Sequence, residues 1–341
     1  YQMTPNRPTI RDVARQAGVS HQTVSRVING SEDVLPETRA VVEAAIKDLG
    51  YRPSAIARSM ARGLTHTLAI ISPNLTDYTF ASVIEGAELE ARQHDYFVLS
   101  SSASNPRAFQ GLVDELVGHR RVDGLIVINP YADERYQHLP KDFPVVFVGA
   151  RSHDENVCSI SLDDEKVAYE ATQHLISLGH KRIALVTGPM EEDCSQDRLE
   201  GFQHALKEAG ISFDSSLVFE GDWSASSGSE ALADFVRKGH LPTAIFAQND
   251  RMAMGVMRAA RDANLNVPDQ LSVIGVDDMP LSSYFDPPLT TMRQDMPLIG
   301  QEAIRKLIDI IQNKTVEQTV LKLPAQLVVR QSTVKGGDAT S

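Results

Sequence analysis

Two sets of residues in this chain of 341 have types and spacings that could do chemistry. The first is His21, Gln22, Ser25 and Arg26, spaced to share the outer face of one helix. Their imidazole, amide, hydroxyl and guanidinium groups suit hydrogen bonding to base edges and phosphates better than packing in a core. The second set is scattered along the chain: Asn129, Asn249 and Asp277 each follow a short apolar run, and Arg198 opens a helix soon after the turn Val186-Thr187-Gly188-Pro189. Together with Trp223, the only tryptophan, they offer planar partners for hydroxyls and an aromatic face for the C–H side of a ring, which is what a sugar site needs. A lone Asp at a strand end is more often a cap or turn former than a ligand contact, but several converging on one cleft favour binding.

The first set needs a helix held at a fixed angle, and its flanks provide one. Thr9 and Asp12 form a T-x-x-D variant of the capping box, so a helix is expected from Ile10, with Ile10, Val13, Ala14 and Ala17 on its apolar face. Gly18 supplies a residue free to take positive φ, Val19 tucks under the bend, and Ser20 caps a second helix that buries Val24, Val27 and Ile28. This is a helix-turn-helix with His21 to Asn29 as the recognition helix. Pro36 is expected at the first position of a third helix with a stripe of Val41, Val42, Ala45, Ile46 and Leu49, stopped by Gly50.

The overall charge of −12 argues against nucleic acid only until its distribution is considered. Residues 1–62 hold nine Lys and Arg against six Asp and Glu, and the remainder carries the whole acidic excess. A modestly basic head on an acidic body suits a protein whose small domain meets phosphate while the rest stays off the duplex. No run of 18 apolar residues and no signal-peptide pattern occurs, so the cytoplasm is expected and neither membrane insertion nor secretion. Cys158 and Cys194 lie far apart outside any C-x-x-C or Cys/His cluster, so neither a disulfide framework nor a zinc site is expected, and no cofactor.

After the head comes Ser54 to Arg62, a segment too short to be a stable helix alone. If two copies meet over DNA, Ala55, Ala57 and Ala61 allow close approach and Met60 is the apolar side chain available as a wedge between base pairs; a plain linker is the alternative. From Thr67 onward, apolar runs at Leu68 to Ile71, Phe97 to Leu99, Leu125 to Ile128, Val145 to Val148, Ile183 to Val186, Ala244 to Ala247 and Val273 to Val276 alternate with amphipathic helices. That alternation implies two α/β lobes, each a doubly wound parallel sheet, with a ligand cleft between them at the carboxyl ends of strands.

The stretches TIRDVARQAGVSHQTVSRVIN, PETRAVVEAAIKDLGYRPSAIARSM, HLISLGHKRIALVTGP, GDWSASSG and GVDDMPLSSYFDPPLTTMRQDM together resemble the LacI/GalR family of bacterial transcription regulators over nearly the whole chain. The resemblance implies a small all-α helix-turn-helix head (8–53), a hinge helix and linker (54–66) and a two-lobed core of the periplasmic sugar-binding kind (67–335), with 336–341 a disordered tail. Lobe 1 would comprise about 67–162 and 294–322, and lobe 2 about 163–293 and 323–335. It also implies a homodimer on a near-palindromic operator, controlled by a small sugar. Carried over, His21, Gln22 and Arg26 discriminate operators, while Thr9, Ser20, Thr23, Ser25 and Asn29 hold phosphates or caps. Met60 falls where the family usually has a minor-groove leucine. In the core, Arg198, Trp223, Asn249 and Asp277 match sugar-contacting positions. Asn74, Tyr78 and Phe80 fall in the loop after the first strand, lining the cleft from the other lobe, and Gln294 and Met296 on a crossover strand. The chain departs from the family pattern at Gly149-Ala150-Arg151, where many members carry Asp, and at Leu162 and Met296, where aromatic residues stand in a related pocket. After Arg330 the chain lacks the heptads with which a family member tetramerises, so a dimer is expected.

Two other readings compete. One is a solute-binding protein with the same core, which would have no use for residues 1–62. The other is a cleft enzyme, for instance a glycosidase working through Asp163, Asp164, Asp277 and Asp278. Adjacent acids point in different directions and do not by themselves make an acid/base pair, and no GxSxG, P-loop or GxGxxG stretch is present.

Overall fold

A computed structural model describes residues 8–28, 30–31, 33–52, 63–130, 135–151, 157–314 and 320–336. Asn29, the expected hinge helix Ser54 to Arg62 with Ala57 and Met60, and residues 337–341 of the tail lie outside the described residues. The chain divides into two units, Tyr1–Thr65 and His66–Ser341.

In the first unit, α1 (Ile10–Ala17), α2 (His21–Ile28) and α3 (Pro36–Leu49) pack around Val13, Ala14, Val24, Val27, Val34, Val42 and Ala45. The Asp12 carboxylate accepts from both the Thr9 amide (2.9 Å) and the Thr9 hydroxyl (2.7 Å), closing the start of α1. Gly18 takes φ 67°, which sets the turn, and Ser20 Oγ accepts the Thr23 amide at 3.1 Å to cap α2. Val41 departs from expectation, being 51% exposed. The inward stripe of α3 runs through Val42, Ala45, Ile46 and Leu49, and Val41 sits one helical step around from it.

The second unit contains two six-stranded sheets. Lobe 1 comprises β1 (Thr67–Ser72), α4 (Tyr78–Gln93), β2 (Phe97–Ser102), α5 (Pro106–Val113), β3 (Gly124–Ile128), β4 (Val145–Val148) and β5 (Cys158–Leu162). Lobe 2 comprises α6 (Asp164–Ser177), β6 (Ile183–Thr187), α7 (Asp193–Glu208), β7 (Val218–Glu220), α8 (Ala225–Arg237), β8 (Ala244–Ala247), α9 (Asp250–Asp262), β9 (Ser272–Asp277) and β10 (Thr290–Arg293). The chain then returns to lobe 1 as α10 (Met296–Ile311) and β11 (Val320–Leu323), and ends in lobe 2 as β12 (Gln326–Val328). The strand orders are β11-β5-β4-β3-β1-β2 and β12-β10-β9-β8-β6-β7. Every pairing is parallel except β12 on β10, a departure from purely parallel sheets. Strands such as β3 (GLIVI) and β6 (IALVT) are buried throughout because helices cover both faces of each sheet.

The chain passes between the lobes three times, at Leu162 to Asp164, Arg293 to Met296 and Leu323 to Gln326. The first and third passages lie side by side, with the Asp163 amide donating to the Leu323 carbonyl at 3.0 Å. Across lobe 1, α4 and α10 meet at glycines: a Cβ on Gly300 would stand 2.0 Å from the Val83 carbonyl oxygen, and one on Gly86 2.1 Å from that of Pro297. Two expected positions shift. Gln294 and Met296 are not on a strand, since β10 ends at Arg293 and Met296 begins α10. Arg198 does not open its helix but stands well inside α7, which starts at Asp193.

Candidate functional site

The cleft between the lobes is lined at the carboxyl ends of strands, where β3 delivers Asn129, β8 delivers Asn249 and β9 ends in Asp277. Arg198 reaches it from α7, buried and anchored by Nε donating to Asp164 Oδ1 at 2.8 Å and Nη1 to the Gln248 carbonyl. Its guanidinium lies 5.8 Å from the Trp223 ring centroid. The Trp223 ring lies against Gly188, where any Cβ would come within 2.1 Å of it, and Trp223 itself is held at φ 67°. The Asn249 amide is occupied at both ends: Oδ1 accepts the Met252 amide (2.7 Å) as the cap of α9, and Nδ2 donates to the Trp223 carbonyl (3.1 Å). Asn249 therefore positions the tryptophan loop.

Asp277, at φ 123°, accepts from Gln294 Nε2 at 3.0 Å. Burial, and then the nearby Asp250 charge, push its carboxyl well above the ordinary range. Phe80 and Met296 line the cleft, as do Asn129 and Gln294. Asn74 and Tyr78 do not line it, contrary to expectation. Asn74 Oδ1 accepts the amides of Thr76 (3.0 Å) and Asp77 (2.8 Å) and so shapes the turn, while Tyr78 is exposed at the start of α4.

The residues that sequence reasoning missed are mainly charged ones. Asp77 caps α4 and pairs with Arg251 across the cleft. Asp164, named from the sequence only for an enzyme, instead holds Arg198. Glu192 accepts from Trp223 Nε1 (3.1 Å) and from Asn129 Nδ2 (3.2 Å), joining lobe 2 to lobe 1, and burial raises its carboxyl. Outside the cleft, Arg151 of lobe 1 reaches α7 through Gln196 (2.9 Å), Asp197 (3.0 Å) and Asp193 (3.4 Å). Of the acids considered for an enzyme, Asp164 and Asp277 line the cleft and Asp163 and Asp278 do not. Asp164 is taken by Arg198, Asp278 by Arg293 and Arg330, and Asp163 lies 3.8 Å from Lys322.

In the head, His21, Gln22 and Arg26 are exposed along α2, Thr23 and Ser25 are half-exposed, and Thr9 and Ser20 serve as caps at the two helix starts. Both thiols are free. Among the described residues no helix is long and apolar enough to cross a membrane, and no group of His, Cys, Asp and Glu is placed to hold a metal.

A helix-turn-helix head in one chain with a two-lobed binding core defines a DNA-binding transcription regulator that responds to a small molecule. Residues 9–54 match the bacterial regulatory proteins of the lacI family, and residues 172–333 match the periplasmic binding protein-like domain. Catabolite control protein A of Priestia megaterium is 38% identical over 329 residues, covering 95% of this chain and 99% of that protein. The transcriptional repressor PurR of Klebsiella pneumoniae (strain 342) is 36% identical over 335 residues, covering 96% and 97%. Among solved structures, a lac repressor dimer bound to operator and the anti-inducer ONPF matches with TM-score 0.87 at 33% identity, covering 96% of this chain and 100% of that one. A CelR–cellobiose complex matches with TM-score 0.75 at 32% identity and the same coverage. This chain belongs to the LacI family of bacterial regulatory proteins.

Proposed function

We propose that the protein is a homodimeric transcriptional repressor, acting in the cytoplasm, whose operator affinity is set by a small sugar bound between the core lobes. The observation that carries this reading is the pairing, in one chain, of an exposed polar recognition helix with a cleft where Arg198, Asp277 and Trp223 face lobe 1. Planar hydrogen-bonding groups beside an indole face suit a ring of hydroxyls with an apolar C–H side. A CelR–cellobiose complex and a lac repressor bound to ONPF, both similar to this chain, support the ligand class. The chain has no catalytic role in this reading.

Two copies would place their recognition helices in successive major grooves, each good bidentate base contact adding about 1–3 kcal/mol of discrimination. Residues 8–53 would form the DNA-binding domain, 54–66 the hinge and 67–335 the core. Support for self-association comes from the lac repressor dimer and from the edge strand β2, which exposes Phe97 and Leu99. The ligand acts through the contacts that join the lobes, Asp77 to Arg251, Asn129 to Glu192, and Arg151 to α7, because filling the cleft changes which of them can persist.

The test is retardation of upstream DNA fragments by the full chain, with and without a panel of sugars, alongside assays for sugar turnover. A specific complex whose affinity changes with one sugar, and no turnover, is expected. Failure to retard any fragment at low salt, or retardation indifferent to every sugar that the core binds, overturns the reading.

A further inference from the structure

Among the described residues the lobes are joined both inside the cleft and outside it. Asp77, Arg251, Asn129 and Glu192 all line the cleft, so a ligand that enters competes for their hydrogen-bonding groups. Arg151 of lobe 1 and its partners on α7 of lobe 2 do not line it. Arg151 Nη1 lies 3.0 Å from Asp197 Oδ1, and Nη2 donates to Gln196 Oε1 at 2.9 Å and to Asp193 Oδ1 at 3.4 Å. The Arg151 backbone amide adds a bond to Asp193 Oδ2 at 3.1 Å. A planar fork can hold three side chains of one helix in this way, and a point charge on a flexible stem cannot.

The loop that delivers Arg151 is itself fixed. Gly149 takes φ 76° and donates its amide to the Ile160 carbonyl at 3.0 Å, and a Cβ there would stand 2.8 Å from Asn129 Oδ1. Ser159 Oγ donates to the Ala150 carbonyl at 2.5 Å. The stretch Gly149-Ala150-Arg151, where the sequence departs from its family, thus offers no side chain to the cleft at its glycine and sets a cation against the other lobe. Asp193 and Asp197 are both buried and stand one helical turn apart, so they repel each other. With Arg151 withdrawn, closed lobes would hold two buried acids without their cation, whereas opening would hydrate them.

We propose that Arg151 is a positioning residue that clasps the two lobes from outside the cleft, and so sets the fraction of closed molecules and the concentration at which a cleft ligand acts. This rests on the reading of the cleft as the effector site and adds the residue that fixes its threshold. The cleft takes Phe80 and Met296 from lobe 1 and Arg198 and Trp223 from lobe 2, so a ligand gains all its contacts only when the lobes are closed. Its apparent affinity then scales with the closed fraction, and loss of the clasp costs every ligand the same factor.

Trp223, the only tryptophan, lines the cleft and reports on opening without any sugar. The experiment measures acrylamide quenching of Trp223 and small-angle scattering on the full chain and on Arg151→Lys, Arg151→Met and Arg151→Glu. Quenching and radius of gyration should rise in the order Arg, Lys, Met, Glu, because Lys keeps the charge, Met keeps only the stem and Glu reverses the charge. Acrylamide is uncharged, so salt can be varied independently. Raising sodium chloride from 20 mM to 1 M should increase quenching in the unaltered chain and do so by less than half as much in Arg151→Met. Calorimetric titration with glucose, galactose, cellobiose and lactose completes the set. Each sugar that binds should lose about fivefold or more in Arg151→Met, by factors that agree within about twofold.

Quenching and scattering that are the same in all four proteins overturn the clasp and leave the sugar-controlled repressor standing. Losses that differ by more than about threefold between sugars also overturn it, because they make Arg151 a ligand contact. If the variants fail to fold, quenching of the unaltered chain that is flat with salt overturns the clasp. Binding of none of the four sugars counts against the sugar reading, and the clasp is then decided by quenching and scattering.

Discussion

Glu192 shows how a side chain gains its role from what it is brought beside. It stands just before α7, its side chain supports Trp223 and reaches Asn129 in the other lobe, yet nothing in GPMEEDCSQDR marks it above its acidic neighbours. Asp277 was legible as a cleft residue from its type and strand-end position, and Arg198 and Trp223 from residue type; the pairings of Asp77, Asp164 and Arg251 were not, because they are set by packing. Arg198→Ala and Asp277→Ala should each abolish the effect of sugar on operator retardation while DNA binding without sugar stays within about threefold. A retained response would remove these residues from the binding wall. Asp197 gives a separate pH prediction, since burial pushes its carboxyl up to about 6 despite the nearby Arg151. An acid raised in the fold disfavours folding once ionised, so its penalty is absent below about pH 4 and complete above about pH 6. That penalty is on the order of 2–3 kcal/mol at neutral pH. Asp197→Asn should therefore melt higher than the parent at pH 7.5, with the difference shrinking toward pH 4; a pH-independent difference would contradict this.

Among the elements, those with local chemical signals were the most readable. The Thr9–Asp12 box, the Gly18 turn and the Ser20 cap sit where the sequence places them, because capping and positive φ are decided within a few residues. β5 (CSISL), β10 (TTMR) and the two C-terminal strands escaped notice, since short polar-interrupted strands become strands only when a neighbour offers an edge. Exchanging His21 and Gln22 should alter which operator is preferred in competition retardation assays and leave sugar affinity of the core unchanged, as both side chains are exposed on α2. An unchanged preference would deny α2 its reading role. Gly300→Ala tests the close approach of α4 and α10. The added methyl meets the Val83 backbone, so the core should lose about 1–3 kcal/mol in denaturant titrations.

At the level of the whole molecule, the alternation of strands and helices was enough to foresee two sheets with a cleft between them, while the antiparallel β12 and the order of the edges depend on contacts distant in sequence. If β2 lies at the junction of two copies, Phe97→Asp with Leu99→Lys should yield monomers in sedimentation and weaken operator binding at least a hundredfold, with sugar binding to the core preserved. A variant that remains dimeric would put the junction elsewhere. The three passages between lobes also bear on how the protein is made. Lobe 1 is incomplete without Val320–Leu323 and lobe 2 without Gln326–Val328, so neither sheet gains its last edge strand until the chain through Val328 has left the ribosome. The helical head, contiguous over Ile10–Leu49, needs none of that wait. Nascent chains thus carry a finished helical head well before the cleft between the lobes is complete, and a message cut short before β11 would yield a head joined to a core that cannot sense its small molecule.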